Sequence, residues 1–206
     1  AGQILTIAGY GFLGNGTTER PAITLVVPWR AGLIGAEVFQ QFGICWFWHL
    51  GMRRNERTLE AETYFESEPP TTLVRNSVVL ICDPMLASGN TNAAIIRHCI
   101  GAGVPAERIV NFALIAAPEG VDHLLYEFDG IRIMTLALDG RLNARGYITD
   151  PGLGDFGDLA LNDVGIAYAE EHWLKTGLLT RPMVDVVLGR TREVKAGLAA
   201  HAPAPA

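Results

Sequence analysis

Residues 78–92, Val-Val-Leu-Ile-Cys-Asp-Pro-Met-Leu-Ala-Ser-Gly-Asn-Thr-Asn, pass from an apolar run through one acid into a loop of small and hydroxylated residues. Val78 to Cys82 holds no polar side chain, which suits a strand buried on both faces, the condition of a central parallel strand. Asp83 follows at its carboxyl end. Ala87-Ser88-Gly89-Asn90-Thr91 then leads into a helix-like stretch, Ala93 to Ile100, which Gly101 and Gly103 end. Backbone N–H groups at a helix start lack intrahelical acceptors and sit at the positive end of the dipole, so this loop suits an anion. Ser88 and Thr91 add hydroxyl donors, and Asp83 can hold a sugar hydroxyl or a metal-bound water. A sugar phosphate satisfies both ends.

The rest of the chain fits an α/β architecture around that unit. Ile23 to Val27 reads as a strand, with Pro28-Trp29-Arg30-Ala31-Gly32-Leu33 at its carboxyl end. Ligands of open α/β sheets collect outside the carboxyl ends of strands, which places Arg30 where an anion would lie; a solvated loop arginine is the plainer alternative. Leu33 to Gln41 reads as a helix and Ile44 to Trp48 as a second buried strand. Trp46 and Trp48 are more readily core residues than a base-stacking surface. Arg53, Arg54 and Arg57 lie in a charged stretch expected to be a loop. Residues 61–77, with Tyr64-Phe65 and Pro69-Pro70, read as a flap or hood connection. Ile109 to Ala116 and Ile131 to Leu138 are further strands, and Pro118-Glu119-Gly120 opens a helix running to Phe128. Asn162 to Lys175 and Met183 to Leu198 are helix-like, and the Ala-Pro end at 202–206 reads as disordered. Gln3 to Ala8 alternates weakly, the pattern of a short strand. The GxGxxG at Gly9 to Gly14 has no helix pattern after it, so a dinucleotide site lacks its physical basis there.

Five segments, in order, resemble the uracil phosphoribosyltransferases of the type I phosphoribosyltransferase family. Asp83-Pro84-Met85-Leu86-Ala87-Ser88-Gly89 looks like their loop for 5-phosphoribosyl-1-pyrophosphate (PRPP), and Arg30-Ala31-Gly32-Leu33 looks like their pyrophosphate loop. Met52-x-Arg54-Asn55-Glu56-x-Thr58-Leu59-Glu60 is similar to a segment whose arginine contacts pyrophosphate. Leu114-Ile115-Ala116-Ala117-Pro118-Glu119-Gly120 is close to a loop walling the ribose and base. Leu142-Asn143, Gly146-Tyr147-Ile148 and Pro151-Gly152-Leu153-Gly154-Asp155-Phe156-Gly157-Asp158 resemble the uracil hood.

The resemblance implies a type I phosphoribosyltransferase fold, α/β, with a mostly parallel sheet, flanking helices and a small hood. It implies transfer of phosphoribose from PRPP to uracil, with Mg²⁺ bound mainly through the pyrophosphate. PRPP contacts fall on Arg30, Ala31, Gly32, Arg54, Asp83, Pro84, Met85, Leu86, Ala87, Ser88, Gly89, Asn90 and Thr91. Base contacts fall on Met85, Ala87, Tyr147, Ile148, Gly152, Leu153, Gly154 and Asp155. Arg30, Arg54, Asp83 and Asp155 are the catalytic candidates. No protein-held metal is expected. The chain departs from the pattern at Trp29, Arg53, Ala144-Arg145, Phe156 and in one extra residue among 148–151. Asn90 stands where the family has a second glycine, and is expected to take that glycine's positive φ because Asn tolerates the left-handed region. The resemblance covers about residues 23–158, which suggests a core at 1–160 and a helical extension at 161–206.

Composition narrows the partners. A formal net charge of −6 disfavours nucleic acid. No run approaches the roughly 18 apolar residues of a membrane span, and no basic-then-apolar leader begins the chain. Cys45, Cys82 and Cys99 lie in apolar runs without metal or disulfide spacing and read as reduced thiols of a cytoplasmic protein. An exposed sheet edge at Trp46-Phe47-Trp48 would favour a homodimer.

Overall fold

The computed structural model describes residues 23–41, 45–54, 61–70, 77–144, 146, 148 and 163–200. The chain forms two compact units, 1–154 and 155–206. The first contains a seven-stranded sheet made of β1 (Ile23–Trp29), β2 (Cys45–Arg54), β3 (Ala61–Glu66), β4 (Val78–Cys82), β5 (Met85–Leu86), β6 (Ile109–Ala116) and β7 (Arg132–Leu138). Its helices are α1 (Gly32–Gln40), α2 (Asn90–Gly101) and α3 (Pro118–Glu127). Across the sheet the strands run β3, β2, β1, β4, β6, with β5 continuing the line of β4 beside β6 and β7 on the other flank of β6. Every pair is parallel except β2 with β3.

Every residue of β1 and β4 is buried, as expected of central parallel strands covered on both faces. Alternate side chains serve different layers. Val26, Val79, Ile81 and Ala113 enter one core with Ala93, Ile95, Ile96 and Cys99 of α2 and Leu124 of α3. On the opposite face, Phe39 of α1 meets Phe112 edge-on at 6.2 Å. Thus α1 lies on one face and α2 and α3 on the other. The connection from β1 goes to β2 on one side while β4 pairs with β1 on its other side. This reversal of strand order opens a crevice at the carboxyl ends of β1 and β4, where ligands of such sheets bind.

The apolar runs 78–82 and 109–116 are strands with the expected bounds, and β1 runs two residues past Val27. Two expectations fail nearby. Residues 51–54 are not a loop but the end of β2, and 61–66 are not a flap but β3, antiparallel to it. Cross-strand chemistry accounts for both: Arg53 faces Glu62 in the ladder and bonds it at 3.1 Å, while the Thr63 hydroxyl donates to Met52 Sδ at 3.3 Å. β2 pairs with β1 over Cys45–Gly51 and with β3 from Leu50 onward, so β3 flanks only its second half. Trp46 and Trp48, two residues apart, share one face of the strand; Trp48 is fully buried, whereas Trp46, nearer the strand's start, is 56% exposed and is not the core residue expected.

The second unit contains α4 (Asp163–Thr176), one residue further along than the sequence suggests, and α5 (Arg181–Ala200), which extends two residues beyond the expected stretch at each end. Gly177, at φ 70°, makes the turn between them, and Arg181 bonds Glu170 at 2.7 Å across it. Among the described residues no helix is long and apolar enough to cross a membrane. The weak strand at 3–8, the GxGxxG at 9–14 and the Ala-Pro end lie outside the described residues.

Candidate functional site

The crevice is built first from the break between β4 and β5. Pairing with β6 stops at Cys82 and resumes at Met85, and Asp83-Pro84 fill the gap. Asp83 N–H donates to Phe112 O at 3.1 Å, and Pro84 O accepts from Leu114 and Ile115 at 2.9 and 3.2 Å. The backbone is thus pinned while the Asp83 side chain turns out of the ladder. Its carboxyl is packed among protein atoms, which pushes its pKa up to about 6; Met85 N–H at 3.3 Å and the Asn92 amide oppose the rise. Asn92, buried in the first turn of α2, also donates to Asn111 Oδ1 at 2.8 Å.

After β5 the chain turns through Ala87 and Ser88 to Gly89, which caps α2 with φ 82° in the left-handed region. The first intrahelical bond is Ala93 N–H to Gly89 O at 2.7 Å, so the N–H groups of Asn90, Thr91 and Asn92 precede it. Asn90 is a correction: it is the first residue of α2, and the positive φ belongs to Gly89. The second small residue of the loop is a helix residue, for which no special backbone freedom is required.

The second wall comes from β1. Arg30 and Ala31 turn directly from the strand into α1, and Leu33 N–H donates to Arg30 O at 3.2 Å. A Cβ on Gly32 would lie 2.6 Å from Cys82 O and 2.8 Å from Pro28 Cδ. Only glycine lets the start of α1 approach the end of β4 this closely. The segments 30–32 and 83–91 are therefore neighbours, joined through Gly32 and Cys82. Arg54 is the last residue of β2, three rungs beyond Gly51, which pairs with Trp29 at the end of β1. Its backbone runs about 10 Å past that rung at the usual rise of a strand.

The third wall is the start of α3. Gly120 packs against the Ala87 carbonyl so closely that a Cβ there would overlap it, and Ala117 N–H donates to Leu86 O at 2.8 Å. From β7 the chain returns past Asp139, and Leu142 forms an antiparallel bridge with Ile148, which is fully buried. Leu142 N–H also donates to Glu119 Oε1 at 3.1 Å, tying this return to α3. The structure thus brings Arg30, Ala31, Gly32 and Asp83 to Thr91 to one crevice, with Met85 and Ala87 on its floor. Tyr147, Gly152, Leu153, Gly154 and Asp155, with most of the expected hood, lie outside the described residues.

Sequence reasoning passed over a group behind the loop. His123 Nδ1 is 2.8 Å from Ser88 O, its Nε2 is 3.2 Å from Glu127, and Glu127 takes two bonds from Arg97 at 2.6 and 2.8 Å. The i, i+4 spacing of His123 and Glu127 was the available signal for their pairing, but nothing in it points to Ser88. Cys82 and Cys99 are buried and in no disulfide, and burial pushes the Cys99 thiol up to about 12, far from thiolate chemistry at neutral pH. Among the described residues no cluster of three or more His, Cys, Asp or Glu could hold a metal ion.

Residues 9–162 match the family model described as uracil phosphoribosyltransferase. The chain is 49% identical over 120 residues to the uracil phosphoribosyltransferase of Nocardioides sp., covering 56% of this chain and 54% of that protein. It is 38% identical over 158 residues to that of Acinetobacter baylyi, covering 75% and 72%. The chain thus spans about half the length of the first relative and nearly three quarters of the second. Among solved structures, the AQ2163 protein of Aquifex aeolicus superposes with a TM-score of 0.62 at 30% identity, covering 75% of this chain and 79% of that one. With a mostly parallel sheet, flanking helices and this match over most of its length, the chain belongs to the uracil phosphoribosyltransferase family and has the type I phosphoribosyltransferase fold.

Proposed function

We propose that the chain transfers phosphoribose from PRPP to uracil, giving UMP and pyrophosphate. The observation that carries this is the meeting of two loops at one strand reversal: Asp83 to Thr91, ending on a helix start, and Arg30 to Gly32, held against Cys82. Residues Ala87, Ser88, Gly89, Asn90 and Thr91 grip the 5′-phosphate through N–H and hydroxyl donors. Asp83 accepts the ribose hydroxyls, with Pro84, Met85 and Leu86 fixing its approach. Arg30, Ala31, Gly32 and Arg54 serve the pyrophosphate. Met85, Ala87, Tyr147, Ile148, Gly152, Leu153 and Gly154 line the base, and Asp155 orients base and sugar.

Breaking the glycosidic carbon's bond to pyrophosphate leaves positive charge on the ribose and negative charge on the leaving group. Catalysis then depends on holding the anion better as it departs than before, which guanidinium donors do. The uracil nitrogen takes the vacated carbon, and its acidic N–H needs only weak base assistance. Mg²⁺ fits as an ion carried by the substrate, since a hard cation bound by phosphate oxygens needs few protein ligands and Asp83 can reach it through water. It supplies charge neutralisation on the pyrophosphate.

This reading takes the core as 1–160, with 161–206 a helical extension, in a cytoplasmic homodimer. Incubating the chain with PRPP, Mg²⁺ and uracil, then separating products by HPLC, should yield UMP; absence of UMP defeats the assignment. The changes at Ala144-Arg145 and Phe156 favour running other heterocycles beside uracil, because a product from one of them alone would move the substrate and keep the chemistry. PRPP binding with no product from any base would make the chain a regulator on the same fold. Light scattering at micromolar concentration should give twice the 22.3 kDa of one chain.

A further inference from the structure

The loop from Ala87 to Gly89 is gripped from behind by a side-chain relay that crosses between two helices. Arg97 of α2 holds Glu127 of α3 through both carboxylate oxygens, at 2.6 and 2.8 Å. One of those oxygens lies 3.2 Å from His123 Nε2, and His123 Nδ1 lies 2.8 Å from the Ser88 carbonyl oxygen. A carbonyl oxygen and an ionised carboxylate only accept, so Nδ1 donates to Ser88 O and Nε2 to Glu127. The Arg97 side chain is 58% exposed and Glu127 27%, and an ion pair so placed adds little to stability. What it fixes is direction: Glu127, held well below the usual carboxylate range first by its hydrogen bonds from Arg97, stays anionic and keeps the imidazole turned to the loop.

Direction matters because of the peptide that His123 holds. The Ser88 carbonyl and the Gly89 N–H belong to one trans peptide unit, so they point to opposite sides. Drawing the carbonyl toward α3 turns the Gly89 N–H away from α3. The left-handed Gly89 then delivers the chain into α2, whose first N–H groups have no intrahelical acceptor. A Cβ on Gly89 would stand 3.1 Å from His123 Nδ1, so the ring occupies the space behind the loop.

We propose that His123 is a positioning residue for the phosphate loop, donating to the Ser88 carbonyl so that the Gly89 N–H faces the bound anion, with Arg97 and Glu127 fixing the ring. This inference rests on the reading of residues 87–91 as the 5′-phosphate cradle. A flipped peptide in the absence of the ring would present a carbonyl oxygen to a phosphate, which repels it.

Calorimetry on the full chain in Mg²⁺ buffer, with ribose 5-phosphate, PRPP and pyrophosphate as separate probes, tests it. His123→Ala should weaken ribose 5-phosphate and PRPP by about tenfold each and leave pyrophosphate unchanged. His123→Asn places an amide N–H where Nδ1 stands and should recover affinity to within about threefold, whereas His123→Gln reaches the Nε2 position and should behave as alanine does. Wild-type affinity for ribose 5-phosphate in His123→Ala overturns the proposal. So does an equal loss in the Asn and Gln variants, or a loss that extends to pyrophosphate, since either marks general damage to the fold. A wild-type chain that binds neither ribose 5-phosphate nor PRPP removes the cradle itself and the inference with it; wild-type binding with indifferent variants removes the clamp alone.

Discussion

Burial raises the Asp83 carboxyl to about 6, while Met85 N–H and the Asn92 amide limit the rise. An ionised carboxylate accepts two ribose hydroxyls, and its protonated form gives up much of that capacity. PRPP affinity should therefore climb as pH passes through about 6. Phosphate monoesters also lose a proton near pH 6, so the contrast carries the prediction: calorimetry from acid to neutral pH should show a steeper rise for wild type than for Asp83→Asn. Parallel profiles would remove Asp83 from the ribose. Arg30→Ala and Arg54→Ala should each lower turnover about a hundredfold with little change in base affinity, because their charges act on the departing anion. Unchanged steady-state rates would place the pyrophosphate elsewhere. The placement of Asp83, Ser88 and Gly89 in one turn between strand and helix was legible because an acid and small residues directly follow a buried apolar run. His123 was not, since its partner is a backbone oxygen 35 positions away.

At the scale of elements, the short loop between β5 and α2 depends on glycines from two directions. Gly89 needs a left-handed backbone, and Gly120 of α3 lies against the Ala87 carbonyl. Gly120→Ala should push α3 away from the loop and cost both stability and PRPP affinity. Asn90→Val is the useful control. As the first residue of α2, Asn90 should tolerate valine with only the small loss of a β-branched residue at a helix start, under about 1 kcal/mol. Gly89→Val, forced into positive φ, should abolish PRPP binding. Severe loss in Asn90→Val with a mild effect in Gly89→Val, both read by calorimetry, would reverse the assignment of the turn. The misplacement of the positive φ has a simple origin: the residue pattern marks a helix from Ala93, whereas the polar first turn, Asn90 to Asn92, is helical because Asn92 anchors it to Asn111. β3 escaped notice for a similar reason, since Arg53 and Glu62 look like loop charges until the strands that pair them are seen together.

For the first unit as a whole, β1, β4 and β6 could be read as strands from their apolar runs, because β1 and β4 are buried throughout and β6 over its first five residues. Such a core is built for stability, and Asp83 works against it. A buried carboxyl with its pKa raised from 3.8 to about 6 binds its proton more tightly folded than unfolded. Its contribution is then fully present below about pH 4 and is lost as pH rises through about 6, at about 1.4 kcal/mol for each pH step between the two values, near 3 kcal/mol in all. Above that the ionised carboxylate is a constant burden, of the kind carried at sites shaped for ligands rather than for folding. Asp83→Asn removes the titration while keeping the side-chain shape. Urea denaturation without ligand should find this variant more stable than wild type near pH 8, by up to about 3 kcal/mol, with the difference shrinking toward zero near pH 4. A difference that does not change with pH would mean that the Asp83 carboxyl titrates alike in the folded and unfolded chain, and that ionisation there costs the fold nothing.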